Sequence, residues 1–574
     1  MKTQHINIQD LAMIGDRRTC ALLDKSGNIV WYCPKRFDSP SYFAALLDAE
    51  AGGSWSLEVE GIELEKRNYL EDSAVLQTYL THKSGSLLLE DWMPLDASFY
   101  GICRELSASP VSYTTRIAYR PNYNRRKPEL EVLGERHVSL EFDFHVHASH
   151  PMEIVDDIII CHVPAGEKAW FILAEKYLDR PLELMEEARE LTLKNWRKVS
   201  QRITYKGPYE EQVRNSLRLL RLLTYAQNGG IIAAATTSLP EVPGGERNYD
   251  YRYVWLRDAA MIVSALARAG SDGEEERKFL SFMCSAMHRI PKPVVPMLTL
   301  DEQPAGTQQE LDFKGYKNSK PVQYGNGASN QLQLDANSNV IIAAKVIYNR
   351  YDTREHWDTV EQMAEFLVDN WEKPDHGIWE ETQKHQYTSS KVVASISLHY
   401  ISEHSQDEAQ KKRWQDTSKE IRKYIDENCI TSDGAYAVYA GSEDVDVTAA
   451  LFPVWGFIEA DTPQMLKTIE RLEKEYCQQN LYRRHLVDYD SRKEGAFLAG
   501  TCWVAQYWVM RQDKEKFEQI IGAVLNFMND AGIMPEEGDP ETGEWLGNVP
   551  QAFVHASLIG AIIDYKNEFY KSGS

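Results

Sequence analysis

Three stretches of the chain set carboxylates beside aromatic rings and guanidinium groups at spacings that suit carbohydrate chemistry. Asp250, Tyr251, Tyr253, Trp255, Arg257 and Asp258 crowd into nine residues. Rings stack on sugar faces, while Asp and Arg take paired hydroxyls. The same spacing suits a structural Arg257–Asp258 ion pair with aromatic packing, and spacing alone does not choose between the two. His376, Gly377, Ile378, Trp379, Glu380 and Glu381 form the second stretch, and Glu536, Glu537, Gly538 and Asp539 the third. Glycoside hydrolysis needs two carboxyl groups, one protonated to release the leaving group and one ionised to activate water. Two Glu-bearing stretches supply that pair if the fold brings them to one place. Glu pairs on loops are more often solvated surface, so the supporting elements decide.

Those elements are helices. From about residue 207 to the end, apolar periodicity predicts twelve, at about 209–227, 253–269, 274–289, 335–350, 354–371, 388–403, 406–428, 446–458, 463–478, 497–511, 513–530 and 550–568, the eighth interrupted by Pro453. The odd-numbered ones are amphipathic and the even-numbered ones nearly apolar all round, as outer and inner helices of a double ring would be. Connections from odd to even helices are mostly long, at about 228–252, 290–334, 372–387, 429–445, 479–496 and 531–549. Six long loops then gather at one end of an (α/α)6 barrel, which is where a site is expected.

The first 175 or so residues read as β. Val138, Leu140, Phe142, Phe144 and Val146 alternate with polar residues, as along one strand with a buried face. Lys-Ser-Gly turns at 25–27 and 83–85 separate apolar runs and predict hairpins. Buried runs follow at 158–161 and 170–174. Many short antiparallel strands favour a β-sandwich over residues 1–178. Asp179 is expected to cap a linker helix, with Pro181 in its first turn, over residues 179–206. The barrel would then occupy 207–574.

Composition narrows the function classes. With 17 Phe, 14 Trp and 30 Tyr the chain is globular rather than disordered, and a net charge of −23 disfavours nucleic acid and anionic membranes as partners. The sequence MKTQHINIQDLAMIGDRR at the start has no signal-peptide core, and no run is long enough for a membrane span, so a soluble, cytoplasmic protein is expected. Eight scattered cysteines without CxxC spacing suggest neither a zinc site nor a disulfide framework. No metal or cofactor is implied, and oligomeric state is not legible.

Four segments, GGERNYDYRYVWLRD (244–258), HGIWEE (376–381), EGAFLAGTCW (494–503) and PEEGDPETGEWLGNVPQAF (535–553), resemble glycoside hydrolase family 15, the glucoamylase, bacterial trehalase and glucodextranase group. The segment at 14–48 resembles the N-terminal region of the bacterial members, so the likeness covers nearly the whole chain. The resemblance implies an inverting, exo-acting α-glucosidase with Glu380 as general acid and Glu536 as general base. It implies that Arg257 and Asp258 hold the terminal glucose, that Trp379, Trp255 and Tyr253 line the pocket, and that Tyr251 faces the base. Arg484 and Glu494 are further candidates from the fifth loop, and Glu381 and Glu537 are the neighbouring carboxylates. The chain departs from the family at Tyr249, where Trp is common, and at Val549 and Val554, where Phe and Ser are often found.

Two other readings remain open at this level: a glycoside phosphorylase of similar architecture, in which phosphate replaces the base-activated water, and a carbohydrate-binding protein without catalysis. The Glu536 stretch argues for hydrolysis, because a phosphorylase needs no second carboxylate. The expected ligand is a small α-linked glucose disaccharide or oligosaccharide of the maltooligosaccharide, isomaltoside or trehalose type.

Overall fold

A computed structural model of the chain describes residues 6–141, 143–203, 205–290, 295–485 and 494–570. The N-terminal part is two antiparallel sheets. One orders its strands as Ala12–Gly15, Cys20–Leu23, Ile29–Tyr32, Ser54–Glu58, Tyr113–Ala118, Ile158–Val163 and Met152–Val155. The other runs Leu130–Gly134, His137–Leu140, His145–Ala148, Ala169–Ala174, Gly101–Leu106, Gly85–Trp92, Leu76–His82 and Glu63–Tyr69. Period-two burial, as in Leu76, Thr78 and Leu80, turns one face of each sheet inward, and Trp55, Ile117, Leu89, Ile102 and Phe171 fill the space between them. The two Lys-Ser-Gly turns close hairpins, joining Cys20–Leu23 to Ile29–Tyr32 and Leu76–His82 to Gly85–Trp92.

Two local expectations are corrected. The alternating run at 138–146 is a hairpin and not one strand: Val138 pairs with Val146, and Phe142 lies outside the described residues. The pairing of Val138 with Val146 leaves both arms in the same parity, so alternation persists across the hairpin, and Val138, Leu140, Phe144 and Val146 are all buried. The linker helix, α1 (Pro181–Ser200), takes Arg180 and not Asp179 as its N-cap, without a side-chain cap. Proline at the first helical position, lacking an N–H, moves the boundary one residue inward.

Twelve helices follow among the described residues. The outer set is α2 (Glu210–Leu222), α4 (Glu274–Arg289), α6 (Trp357–Asn370), α8 (Glu408–Asn428), α10 (Pro463–Arg471) and α12 (Lys514–Leu525). The inner set is α3 (Leu256–Arg268), α5 (Leu334–Tyr351), α7 (Thr388–Ser402), α9 (Leu451–Val454), α11 (Leu498–Met510) and α13 (Ala552–Phe569). Along the inner ring α3 touches α5, α5 touches α7, α9 touches α11, α11 touches α13 and α13 closes back on α3, while outer helices pack on the inner ring, as α2 does on α13 and α8 on α7. This is an (α/α)6 barrel. Burial follows the division: α11 is buried nearly all round, whereas α8 buries Trp414, Thr417, Ser418, Ile421 and Ile425 along one side. Helix α9 is a single turn preceded by a 3-10 turn at Val447–Ala450, because Pro453 removes a backbone donor and Gly456, at φ 77°, turns the chain away.

Sandwich and barrel share one apolar core. Met13, Leu22, Trp31 and Leu46 pack in the same cluster as Leu219, Leu222, Ile231 and Leu239. Polar bonds add direction: Trp31 Nε1 donates to Ala235 O (2.8 Å), and Asn529 Nδ2 donates to Gln9 O (3.0 Å) and Leu11 O (2.8 Å). The fully buried Arg67 side chain pairs with Asp530 in the last long loop and donates to Asp10 O (2.7 Å).

Candidate active site

A cavity of about 280 Å³ opens at the loop end of the barrel. Five of the six long connections reach its wall, with Tyr249 and Tyr251 from the first, Gln308 and Gln331 from the second, Trp379 and Glu380 from the third, Arg484 from the fifth and Glu536 from the sixth. Among the described residues the fourth, at 429–445, gives no lining side chain. It acts from behind through the adjoining Asp446, whose Oδ2 accepts from Trp379 Nε1 at 2.6 Å.

The cluster at 250–258 divides by strand parity. Val254–Trp255 is extended and pairs with Met297–Leu298, so alternate residues face opposite ways. Asp250 and Arg252 turn from the pocket and form a buried, two-pronged pair, with Arg252 Nε on Asp250 Oδ1 (2.9 Å) and Nη2 on Oδ2 (2.7 Å). Arg252 Nη1 also donates to Ser39 O (3.1 Å), and Asp250 Oδ2 accepts from Gly325 N (3.2 Å), which ties two active-site loops to the sandwich. Tyr251 and Trp255 face the pocket with ring centres 5.4 Å apart. Tyr253, expected in the wall, is not among the lining residues; it packs behind Trp255 with Ala233, Met297 and Ala305.

Arg257 and Asp258 stand in the first turn of α3 and line the pocket. Arg257 Nε donates to Asp258 Oδ1 (2.7 Å) and Nη1 to Ile378 O (2.5 Å), so the ion pair exists and is itself part of the wall. Burial raises the Asp258 carboxyl above its ordinary value while Arg257 pulls it down. Beneath them Asp335 is buried with no hydrogen bond to either oxygen, 3.8 Å from Arg257 Nη1. Burial pushes its carboxyl up to about 7 against the pull of Arg257.

Glu380 sits at φ 62°, a left-handed backbone that Gln331 Nε2 secures by donating to its carbonyl (3.0 Å). Trp255 Nε1 donates to Glu380 Oε1 at 2.5 Å, and Arg257 Nη2 lies 3.7 Å away. Burial raises this carboxyl, with Arg257 and Trp255 opposing, which favours a proton held for delivery. Next to it, Glu381 pairs with His485 Nε2 (2.9 Å), and Trp379 rests on Trp503 and edge-on to Phe497.

Also in the cavity wall, Tyr251 Oη donates to Glu536 Oε1 at 2.8 Å. The other oxygen, Oε2, has no hydrogen-bond partner and lies against Gly547, where a Cβ would come within 2.5 Å of it. Burial and the nearby Glu241 carboxylate push Glu536 up to about 8, while Tyr251 and Arg484 pull it down. Below it a buried layer holds Glu241, Glu494 and Glu537, with carboxylate oxygens within 4.8 Å of one another. That spacing could hold a cation, but guanidinium groups already supply the charge: Arg484 Nε donates to Glu494 Oε2 (2.7 Å), Nη2 to Glu241 Oε2 (2.7 Å), and Arg247 also pairs with Glu494. Glu494, read as a site residue, thus lies one layer below the wall, whereas Arg484 reaches it and its guanidinium sits 5.7 Å from the Trp379 ring. Val554 is buried and Val549 is buried, neither lining the cavity, while Tyr249 does. Sequence reading misses Glu241, Arg247, Gln331, Asp335 and Asp446; only their position in or beside the long loops could have drawn attention to them.

A double ring of helices whose loop end presents carboxyls and aromatic rings around one pocket is the architecture of an enzyme that cleaves glycosidic bonds. The chain belongs to glycosyl hydrolases family 15, whose family model matches residues 207–563, and a trehalase-like N-terminal model matches residues 2–139. It is 30% identical to Trehalase 1 of Sulfolobus acidocaldarius, across 98% of this chain and 99% of the relative, and 31% identical to a trehalase of Thermoplasma volcanium, across 96% and 92%. The fold is similar to that of a bacterial glucoamylase crystallised with acarbose, with a TM-score of 0.75 at 14% identity over 99% of this chain and 97% of that one.

Proposed function

We propose that this chain hydrolyses trehalose, an α,α-1,1-linked glucose disaccharide, with inversion at the attacked carbon. The observation that carries the reading is the placing of Glu380 and Glu536 on different loops of one pocket, in surroundings that differ in kind. Burial raises both carboxyls, Glu536 to about 8; Glu380 accepts from the Trp255 indole beside Arg257, and Glu536 accepts from the Tyr251 phenol beside Glu241, each bond favouring the charged form. A terminal glucose would stack on Trp255 and Tyr251 and give hydroxyls to Arg257 and Asp258. Glu380 gives its proton to the glycosidic oxygen as the C1–O bond breaks, and Glu536 takes a proton from the water whose oxygen bonds C1 from the opposite face. The products are one β-glucose and one glucose released from the other half.

Trehalose is favoured among α-glucosides because relatives matching along nearly their whole length are named trehalases. The cavity supports a short substrate: its 280 Å³ falls at the small end of ligand pockets, which run roughly 300–1,000 Å³. The test is glucose release from trehalose, maltose, isomaltose and maltotriose, with proton NMR in the first minutes. Trehalose should be turned over fastest, β-glucose should appear first, and no phosphate should be needed. Glu380→Gln and Glu536→Gln should each lower kcat by about 10²- to 10⁴-fold. Wild-type turnover in either variant would overturn the catalytic assignment, and glucose 1-phosphate as product would convert the reading to a phosphorylase.

A further inference from the structure

The Tyr251 hydroxyl lies between two carboxylates, 2.8 Å from Glu536 Oε1 and 3.5 Å from Glu241 Oε1. A phenol has one proton to donate, and the shorter contact assigns it to Glu536. Glu241 is 3% exposed and shares with Glu536 a buried site whose other ionisable members, among the described residues, are Glu494, Glu537, Arg484, Arg247, His485 and Tyr249, with Glu380 lining the same cavity. Among the described residues, two guanidinium groups therefore face four buried carboxyls around the proposed base, Glu241, Glu494, Glu536 and Glu537. All four cannot be charged in a low-dielectric site at once, since each added like charge raises the cost of the next. Arg484 is placed to choose among them: it donates to Glu494 and Glu241 and makes no hydrogen bond to Glu536.

We propose that Glu241 is a positioning residue for the general base: by holding Arg484 on one oxygen and facing the Tyr251 hydroxyl with the other, it sets the pH at which Glu536 becomes ionised. The inference rests on Glu536 being the base. When Glu241 is charged it repels charge on Glu536 and keeps Arg484 for itself. When Glu241 holds a proton it can donate to the Tyr251 oxygen, which polarises the phenol toward Glu536 and supports the charged base.

The consequence appears in the acidic limb of the kcat/KM profile, where the base must lose its proton to act. Glu241→Gln keeps the size and the Arg484 acceptor but removes the charge, so Glu536 should ionise more readily and the limb should move to lower pH by about one unit. One unit below the wild-type midpoint, the ionised fraction would rise about fivefold. Glu241→Asp keeps the charge and should leave the limb close to its wild-type position. A residue needed only for packing would lower turnover in both variants without moving the limb. Should Glu241→Gln fail to fold, Tyr251→Phe gives the second reading, because bare carboxylates without the shared hydroxyl should move the limb upward. An unmoved or raised limb in folded Glu241→Gln, or an unmoved limb in Tyr251→Phe, overturns the inference. Those results with an inactive Glu536→Gln enzyme would leave the catalytic assignment standing, whereas an active Glu536→Gln enzyme would remove the assignment itself.

Discussion

Trp255→Phe isolates one hydrogen bond to the proposed catalytic acid while keeping a ring in the wall. The indole N–H reaches Glu380 Oε1 at 2.5 Å. A hydrogen bond to an ionised acceptor is worth about 1.5–3 kcal/mol, against about 0.5–1.5 for a neutral one. The difference, about 1–1.5 kcal/mol, is what this donor adds to the carboxylate over the carboxylic acid, so it holds the Glu380 pKa down against the burial that raises it. Removing it raises that pKa. On the proposed assignment Glu380 must carry its proton to act, so at about 1.4 kcal/mol per unit the basic limb of the kcat/KM profile should move to higher pH by about one unit, and the acidic limb, assigned there to Glu536, should stay. Turnover at the optimum should fall a few-fold, because a weaker acid delivers its proton less readily. Glucose release from trehalose across the pH range, with circular dichroism to confirm the fold, measures both limbs together. A basic limb that stays in place or moves down, or a shift confined to the acidic limb, would refute the assignment of Glu380 as the acid held by Trp255.

Other perturbations probe the scaffold. A fragment beginning at Asp179 should be insoluble or inactive, since Trp31, Leu22 and Met13 share a core with the barrel; a soluble fragment with full activity would contradict this. Gly547→Ala sets a Cβ 2.5 Å from Glu536 Oε2 at a φ of 76°, and should lower kcat by about 10²-fold with the fold retained, as read by turnover and near-ultraviolet dichroism. Asp335, raised in the folded state to about 7 from 3.8, stabilises the fold most below pH 4 and loses that contribution as pH climbs toward 7. Asp335→Asn cannot ionise, so its Tm relative to wild type should be higher at pH 8 than at pH 5 by at least about one degree, and an equal offset at both would argue against a buried charge there.

What the sequence discloses here is what short-range pattern determines. Inner and outer helices differ in how much of their circumference is apolar, and that difference is present in single stretches such as Leu558 to Ile563, which are buried throughout. Hairpins with Gly at the turn are equally local. The run from Val138 to Val146 misleads because a symmetric turn preserves period two, so periodicity reports which side chains are buried but not where the chain reverses. Within the site, Glu380 and Glu536 stand out by their aromatic, Pro and Gly neighbours. Glu241 and Asp335 do not, because their significance lies in being buried beside other charges, and burial of a charge is decided by segments far away in the chain. Tyr253 illustrates the same limit in reverse: the residue type suits a sugar pocket, but its partners behind Trp255 come from residues 233, 297 and 305.

The clasp between Arg67 and Asp530 joins positions 463 residues apart, and Asn529 reaches back 520 residues to Gln9. At ribosomal speeds of about 5–20 residues per second, Arg67 emerges roughly half a minute to a minute and a half before its counter-ion exists. During that interval the nascent sandwich shows an apolar flank and an uncompensated guanidinium that the finished enzyme conceals entirely. Chaperone occupancy of the nascent chain should be greatest over that flank. The loop carrying Glu536 follows Asn529 directly, so the proposed base is seated only after the other loops of the wall have been made, and a complete site arises late rather than growing along the chain.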